Sequence, residues 1–426
     1  NLEQWITFCA WVLSHEDTVR VEGKLEPRDE SHNHPDWGSS RRAVVDFIDA
    51  CVGKDMDTPI AARDGLGALL QQVCAQFDWR LDQDRPVLLN HSDPITEAIN
   101  NTRSRAIESL INFGFWVRRQ LPKDQLPEVT ETLSKRIAKD AKTPLTRPER
   151  ALLGMHFGNL CTLNRDWAEQ QREILFPHAN KSVWGDVFGS YIRFNRPSKL
   201  MLELMQCEFE YALDHLNIMA NEKEGNKEVI DKLGQHLFTY YLWKAYPLTG
   251  DESLLERFYD RTKDDRKRWG VLFDHVGRSL RNSGKQLDDT LTDRIITFFD
   301  WRFEVAEALE LQEFTFWLEA EGLSADWRLK SYSKIIDLSL VEGIGLSIQV
   351  RALNKLLPND LELVIECFSK LTSAMAQDSH MYILDEEAKS ILKAGLTSEV
   401  PQVRENAEYA RENLLRLGRF DYLDVN

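Results

Sequence analysis

Apolar residues recur along nearly the whole chain at the three- and four-residue spacing of amphipathic helices, and no stretch alternates like a half-buried strand. This periodicity predicts helices over 2–13 and 40–51, from 59 to about 77, and from 94 to 117, with a short one inside 121–147. From Pro148 onward helix follows helix: 148–161, 165–174, 182–193, 198–220, 228–244, 251–260, 264–282, 288–305, 310–321, 324–339, 345–356, 359–374, 384–395 and 400–417. The connections are short, and many hold Pro, Gly or Asn. Segments of this length are marginal as isolated helices, so they must gain their stability by stacking on neighbours. The expected fold class is therefore all-α, an α-solenoid of stacked antiparallel helix pairs. The Lys-, Asp- and Pro-rich stretch 121–147 sets a soft boundary near 145. It divides an N-terminal helical-repeat segment, 1–145, from a C-terminal one, 146–426, continuous with the first.

One helix departs from simple amphipathicity. Ile95, Ile99, Ala106, Leu110 and Val117 share a face, and Arg103 falls on the same stripe, where a charge needs a partner. Pro94 suits the first turn of this helix, and Asp93 is placed to cap it. The last predicted helix repeats the arrangement, with Arg404 following a Pro401-containing start.

Composition adds bounds. A 42% hydrophobic and 29% charged content is ordinary for a soluble protein. No run approaches the roughly 18 apolar residues of a membrane span. Twelve Trp and twenty Phe form a heavy aromatic load that is expected to fill the gaps between helix layers. The net charge of −16 argues against general binding to nucleic acid. The basic stretches Arg261–Arg268 and Arg278–Lys285 are interleaved with Asp264, Asp265 and Asp274, as a solvated helix face would be. Six scattered cysteines, at 9, 51, 74, 161, 207 and 367, show no metal or redox spacing and read as reduced thiols. With no signal peptide in view, the expected location is the cytoplasm. The chain opens without Met inside an apolar helical pattern and is expected to be part of something longer.

Catalytic chemistry finds little support. Gly65-Leu66-Gly67 and Gly343-Ile344-Gly345 lack the third glycine, lysine and hydroxyl of phosphate-binding loops. Phe188-Gly189-Ser190-Tyr191 lacks the second glycine and the strand of a nucleophile elbow. Acid pairs such as Asp288-Asp289 and Glu386-Glu387 are commonplace in so acidic a chain. The string His32-Asn33-His34 suggests a metal or nuclease site, but no second His or Cys cluster completes a coordination set. No catalytic residue, cofactor or metal is therefore assigned.

The Pro-initiated helices bearing Arg103 and Arg404 resemble the second half of a HEAT repeat. By that resemblance Arg103 and Arg404 are structural ion-pair residues of a ladder between repeats, with Asp93 the nearest acid in sequence. The irregular period implies degenerate HEAT- or TPR-like repeats. A longer series is also familiar: Arg105-Ala106-Ile107-Glu108-Ser109-Leu110, Glu149-Arg150-Ala151-Leu152-Leu153-Gly154, Leu163-Asn164-Arg165-Asp166-Trp167, Gly234-Gln235-His236-Leu237-Phe238, Phe299-Asp300-Trp301-Arg302, Phe314-Thr315-Phe316-Trp317-Leu318 and Ala325-Asp326-Trp327. In this order, over about 95–420, they resemble the C-terminal helical region of large bacterial anti-phage defence proteins of the AVAST (Avs) STAND NTPase kind. The resemblance implies a non-enzymatic sensor arm that binds a foreign (phage) protein or its own effector module. Any NTPase or nuclease activity would lie in a module outside these residues. An oligomerising scaffold is the second reading, and a metal-dependent nuclease using His32 and His34 the third. Aromatics among Trp37, Trp184, Trp243, Trp301, Trp317 and Trp327 are the expected contact residues wherever they are exposed.

Overall fold

A computed structural model of the chain describes residues 2–14, 37–75, 93–138, 145–219, 224–284, 287–305, 308–338, 345–375 and 385–425. Among these residues every regular element is a helix, and the protein is an all-α helical-repeat assembly. The helices in chain order are α1 (Leu2–Ser14), α2 (Trp37–Val52), α3 (Arg63–Ala75), α4 (Pro94–Asn100), α5 (Thr102–Gln120), α6 (Pro127–Ile137), α7 (Arg147–Met155), α8 (Phe157–Leu163), α9 (Arg165–Leu175), α10 (Lys181–Phe194), α11 (Lys199–Asp214), α12 (Leu216–Met219) and α13 (Glu224–Leu242). There follow α14 (Leu254–Arg261), α15 (Lys267–Asn282), α16 (Asp289–Val305), α17 (Ala308–Leu311), α18 (Thr315–Leu318), α19 (Ala325–Ile336), α20 (Gly345–Leu356), α21 (Leu361–Ala374), α22 (Asp385–Leu396) and α23 (Pro401–Arg416).

The chain forms two compact units, Asn1–Lys232 and Leu233–Asn426, so the division falls at 232/233 and not near 145. The reason is visible in Glu149 of α7, which is buried against arginines of α5 and α6 and binds the region after 145 to the helices before it. In the first unit α1 packs on α3, α3 on α5 and α6, α4 and α5 on α7, and α7 on α10. The α7 and α10 backbones approach so closely that a Cβ on Gly154 would lie 2.2 Å from the Val187 carbonyl oxygen. In the second unit the stacking separates into two rows, with α18 on α20 on α22 and α19 on α21 on α23, the i, i+2 pattern of a solenoid.

The aromatic load fills both units. Trp184 lies flat on Phe188 with ring centroids 4.7 Å apart, and Phe157, Phe176 and Tyr191 meet edge to face beside it. In the second unit Trp317 is fully buried. It stacks on Phe273 at 4.7 Å and donates its Nε1–H to the Phe273 carbonyl at 2.9 Å. Satisfying the indole N–H in this way is what lets so large a ring be wholly enclosed.

Side-chain caps cut the chain into these short helices. Asn164 caps α9 through the Trp167 amide, Ser198 caps α11 through Met201, Ser253 caps α14 through Glu256, and Asp360 caps α21 through Leu363. Two caps and breaks depart from the periodicity. The expected single helix over 94–117 is divided at Asn101, whose backbone is extended and whose side chain accepts from the Arg103 and Ser104 amides at 2.9 and 3.2 Å. That break shifts the phase of the stripe, and Ile99, expected in the core, is 52% exposed. The expected helix 148–161 is likewise broken at His156. Asn195 holds the break, its amide lying 3.2 and 3.0 Å from the carbonyls of Gly154 and Met155 while its Oδ1 accepts the Gly158 amide at 3.0 Å.

Candidate interaction surface

Burial accounts for most of the large apolar side chains; single ones such as Phe420 and Trp243 are exposed elsewhere, and helix α1 exposes three rings together. Cys9, Val12 and Leu13 are buried, and Ile6 lies against Gly65 of α3. Trp5, Phe8 and Trp11 remain 56%, 51% and 51% exposed. These three rings form one continuous stripe: Trp5 meets Phe8 edge to face at 6.0 Å, and Phe8 stacks on Trp11 at 5.8 Å. Trp5 extends the stripe to Phe47 of α2 at 6.3 Å, between the exposed Ala43 and Ala50 of that helix. A helix that is apolar on two faces is built to be covered on both. At the C-terminal helix the outcome is opposite, since α23 turns Gln402, Arg404, Glu405, Glu408, Glu412 and Arg416 to solvent. The outer face of α23 is thus largely polar, and that of α1 is aromatic.

The expected contact residues are distributed differently. Trp184 and Trp317 are core, Trp301 and Trp327 are half-buried, and Trp243 is 42% exposed beside Tyr240. The side chain of Trp37, and His32 and His34 with it, lie outside the described residues. Trp5 and Trp11 carry the exposed stripe instead. Their i, i+3, i+6 spacing with Phe8, away from Cys9, Val12 and Leu13, was the available signal.

The three structural ion-pair residues also separate. Arg103 is buried, and its Nη2 lies 3.4 Å from Glu149 Oε2, not against Asp93. Asp93 caps α4 at Thr96 and pairs with Arg193 of α10 at 2.7 Å, a hundred residues away. Arg404 is exposed and donates to the Ser398 carbonyl at 2.8 Å, so it does not reproduce the role of Arg103. The acid that Arg103 faces was marked by a different motif. Thr146-Arg147-Pro148-Glu149 is a capping box, in which Glu149 Oε2 accepts the Thr146 amide at 2.7 Å. The same carboxylate receives Arg136 of α6 bidentately, with Nε 3.1 Å from Oε1 and Nη2 2.9 Å from Oε2.

Other titratable groups are held in the same manner. Arg302 is sandwiched by Tyr259, Trp301 and Trp269, with Cζ 3.8, 4.7 and 4.9 Å from their ring centres, and is paired with Glu310 at 2.6 Å. Burial pushes the Glu310 carboxyl up, against the pull of Arg302. The basic runs are paired locally, Arg268 with Asp265 at 2.9 Å and Arg278 with Asp274 at 2.6 Å. All six cysteines are free, and burial raises each thiol. Among the described residues no group of His, Cys, Asp and Glu is arranged to hold a metal ion. No helix of the described residues is long and apolar enough to cross a membrane.

No protein-family model matches this chain, and no curated protein matches it in sequence. The physical features of the molecule itself therefore carry the functional argument.

One histidine has a measurable signature. His156 sits at the α7–α8 break, with Nδ1 2.9 Å from the Asn159 amide nitrogen and Nε2 3.9 Å from Glu108 Oε1. Burial lowers its pKa to about 4, against an ordinary value of 6.5. The folded form thus holds neutral His156 while the unfolded chain takes up a proton below pH 6.5. Stability is expected to fall as the pH drops from about 6.5 to about 4, by up to about 3 kcal/mol from this residue. The check is denaturant unfolding across that range: His156→Gln should flatten the pH dependence relative to the parent, and parallel curves would refute the assignment.

Proposed function

We propose that the chain is a non-enzymatic protein-recognition arm of a larger bacterial defence protein, working in the cytoplasm and engaging a phage protein or its own effector module. The observation that carries the reading is the solvent-facing Trp5–Phe8–Trp11 stripe on a stack whose other large aromatics are mostly enclosed. Contiguous exposed aromatic surface on a rigid scaffold is the form that protein-docking sites take, and Trp dominates interface energetics. The buried ionisable groups support the same reading, because Glu149, Arg136, Arg302 and Glu310 are spent on tying helices together. The acidic charge of −16 and the locally paired arginines favour protein over nucleic acid as the partner. The free cysteines suit a reducing compartment. The defence assignment itself rests on the resemblance of the helix series.

The test is capture of phage structural proteins by the arm, with each ring of the stripe changed to Ala. Truncating Trp5 or Trp11 should weaken capture by about 2 kcal/mol, roughly thirtyfold. The helical circular-dichroism signal should stay unchanged, since the lost surface faces solvent. Capture that survives all three substitutions, or no capture of either a phage protein or the effector module, would refute the reading.

A further inference from the structure

Three arginines of the second unit converge on α18, which packs on both α15 and α20. From α15, Arg278 and Arg281 bring their Cζ atoms to 4.0 and 4.6 Å from the centre of the Phe316 ring. From α20, Arg351 sets Nη2 3.1 Å from Oε1 of Glu319, which stands just past the end of α18. The other oxygen of that carboxylate takes Nη1 of Arg281 at 3.4 Å. One ring and one carboxylate thus collect guanidinium groups from two separate helices. The ring is 7% and the Glu319 side chain 8% exposed, whereas the three arginine side chains are 52%, 37% and 42% exposed.

Pairing inside the patch uses few of its donors. A guanidinium carries five N–H groups in a planar fork. Arg278 gives Nε to Asp274 at 2.6 Å, and Arg281 and Arg351 each give one Nη to Glu319. The remaining Nη groups have no hydrogen-bond partner among the described residues. Contact with the ring and the carboxylates already restrains these long side chains, so less freedom is lost when an anion binds them. Like charges three positions apart on a helix repel, and an anion laid between Arg278 and Arg281 relieves that repulsion. With Asp274, Glu319 and the nearby Glu313 counted against the three cations, the patch is neutral in a chain of net charge −16. An acid meets no local excess of negative charge there, and the unengaged donors give it hydrogen bonds. The group that Arg281 and Arg351 already share is a carboxylate, which shows the chemistry their forks accept.

We propose that Arg278, Arg281 and Arg351 form a binding site for the acidic side chains of a protein partner, whose carboxylates take the unengaged Nη groups beside Phe316. The site uses none of the residues of the α1 stripe and differs from it in chemistry, so it goes beyond the aromatic contact described above.

Fluorescence anisotropy of a labelled tetraglutamate peptide, titrated with the full chain, tests it. The peptide should bind with Kd on the order of 100 micromolar, at least about tenfold tighter than its tetraglutamine counterpart. Arg278→Gln with Arg351→Gln should weaken binding at least about tenfold. If the loss of a Glu319 partner disturbs folding, as circular-dichroism melts would report, a second set serves. Arg278→Lys with Arg281→Lys and Arg351→Lys keeps every charge but removes the forks, and binding should still fall at least about threefold. No binding by the parent, equal binding of tetraglutamine, or binding indifferent to both sets of substitutions overturns the proposal. So does tighter binding of an oligothymidylate of the same charge, which would assign the arginines to phosphate. Peptide binding absent while capture through the α1 rings persists removes this site and leaves the recognition reading; capture absent while peptide binding holds does the reverse.

Discussion

Glu149→Ala is expected to destabilise the first unit by about 3–5 kcal/mol, the penalty typical of removing one member of a buried charge cluster. The carboxylate is 1% exposed and serves three helices at once. It receives Arg136 of α6 bidentately, lies 3.4 Å from Arg103 of α5, and closes the capping box at the start of α7 through Thr146. Its loss removes the carboxylate that two buried guanidinium groups share. Cys74 sits in the same enclosed region, where burial, followed by the Glu149 charge, pushes its thiol up to about 12. Arg103→Ala should cost less, because Arg136 still neutralises Glu149. Glu149→Gln should fall between, since an amide oxygen can still accept the Thr146 amide while the charge is gone. Denaturant unfolding gives the order, and hydrogen exchange should place the loss in α5, α6 and α7. A Glu149→Ala cost below about 1 kcal/mol, the range of an exposed pair, would show that the cluster does not hold the layers.

The chain's periodicity located the helices well wherever packing and local sequence agree. The expected 345–356 is α20 residue for residue, and 165–174 differs from α9 by one position. The errors arise where a tertiary contact overrides the pattern. Nothing in 148–161 announces the break at His156, because the side chain that holds it, Asn195, is some forty residues away on the far side of α10. The Asn101 cap was readable as a polar residue before Thr-Arg-Ser, yet the flanking apolar spacing masked it. Arg103 and Arg404 look alike in sequence and differ in surroundings. One has α7 laid over it, and the other lies on the solvent face of a terminal helix. The stripe on α1 was legible in principle, because a helix with apolar residues on two faces declares two covered faces. Sequence spacing alone does not tell which of the two the fold itself covers.

Arg302→Ala is expected to destabilise the second unit by a similar ~3–5 kcal/mol, for partly different reasons. The guanidinium is held by charge and by rings together. Glu310 takes it bidentately, with Nε at 2.9 Å from Oε1 and Nη2 at 2.6 Å from Oε2, and Tyr259 donates its hydroxyl to Oε1 at 3.2 Å. Tyr259, Trp269 and Trp301 close over the planar group, a desolvated arrangement in which one cation–π contact is worth about 2 kcal/mol. Truncation loses those contacts and leaves the Glu310 carboxylate, 1% exposed, without its cation. Arg302→Lys keeps the charge but not the fork or the flat face, so it should recover only part of the loss. The decisive comparison is Arg302→Met combined with Glu310→Leu. If the penalty of the single variants comes chiefly from an unpaired buried charge, the apolar pair should restore stability to within about 1–2 kcal/mol of the parent, as replacement of buried ion pairs by packed hydrophobes does elsewhere. If the double variant is instead as unstable as the sum of the singles, the site depends on the cation seated among the three rings. The double-mutant cycle separates these terms.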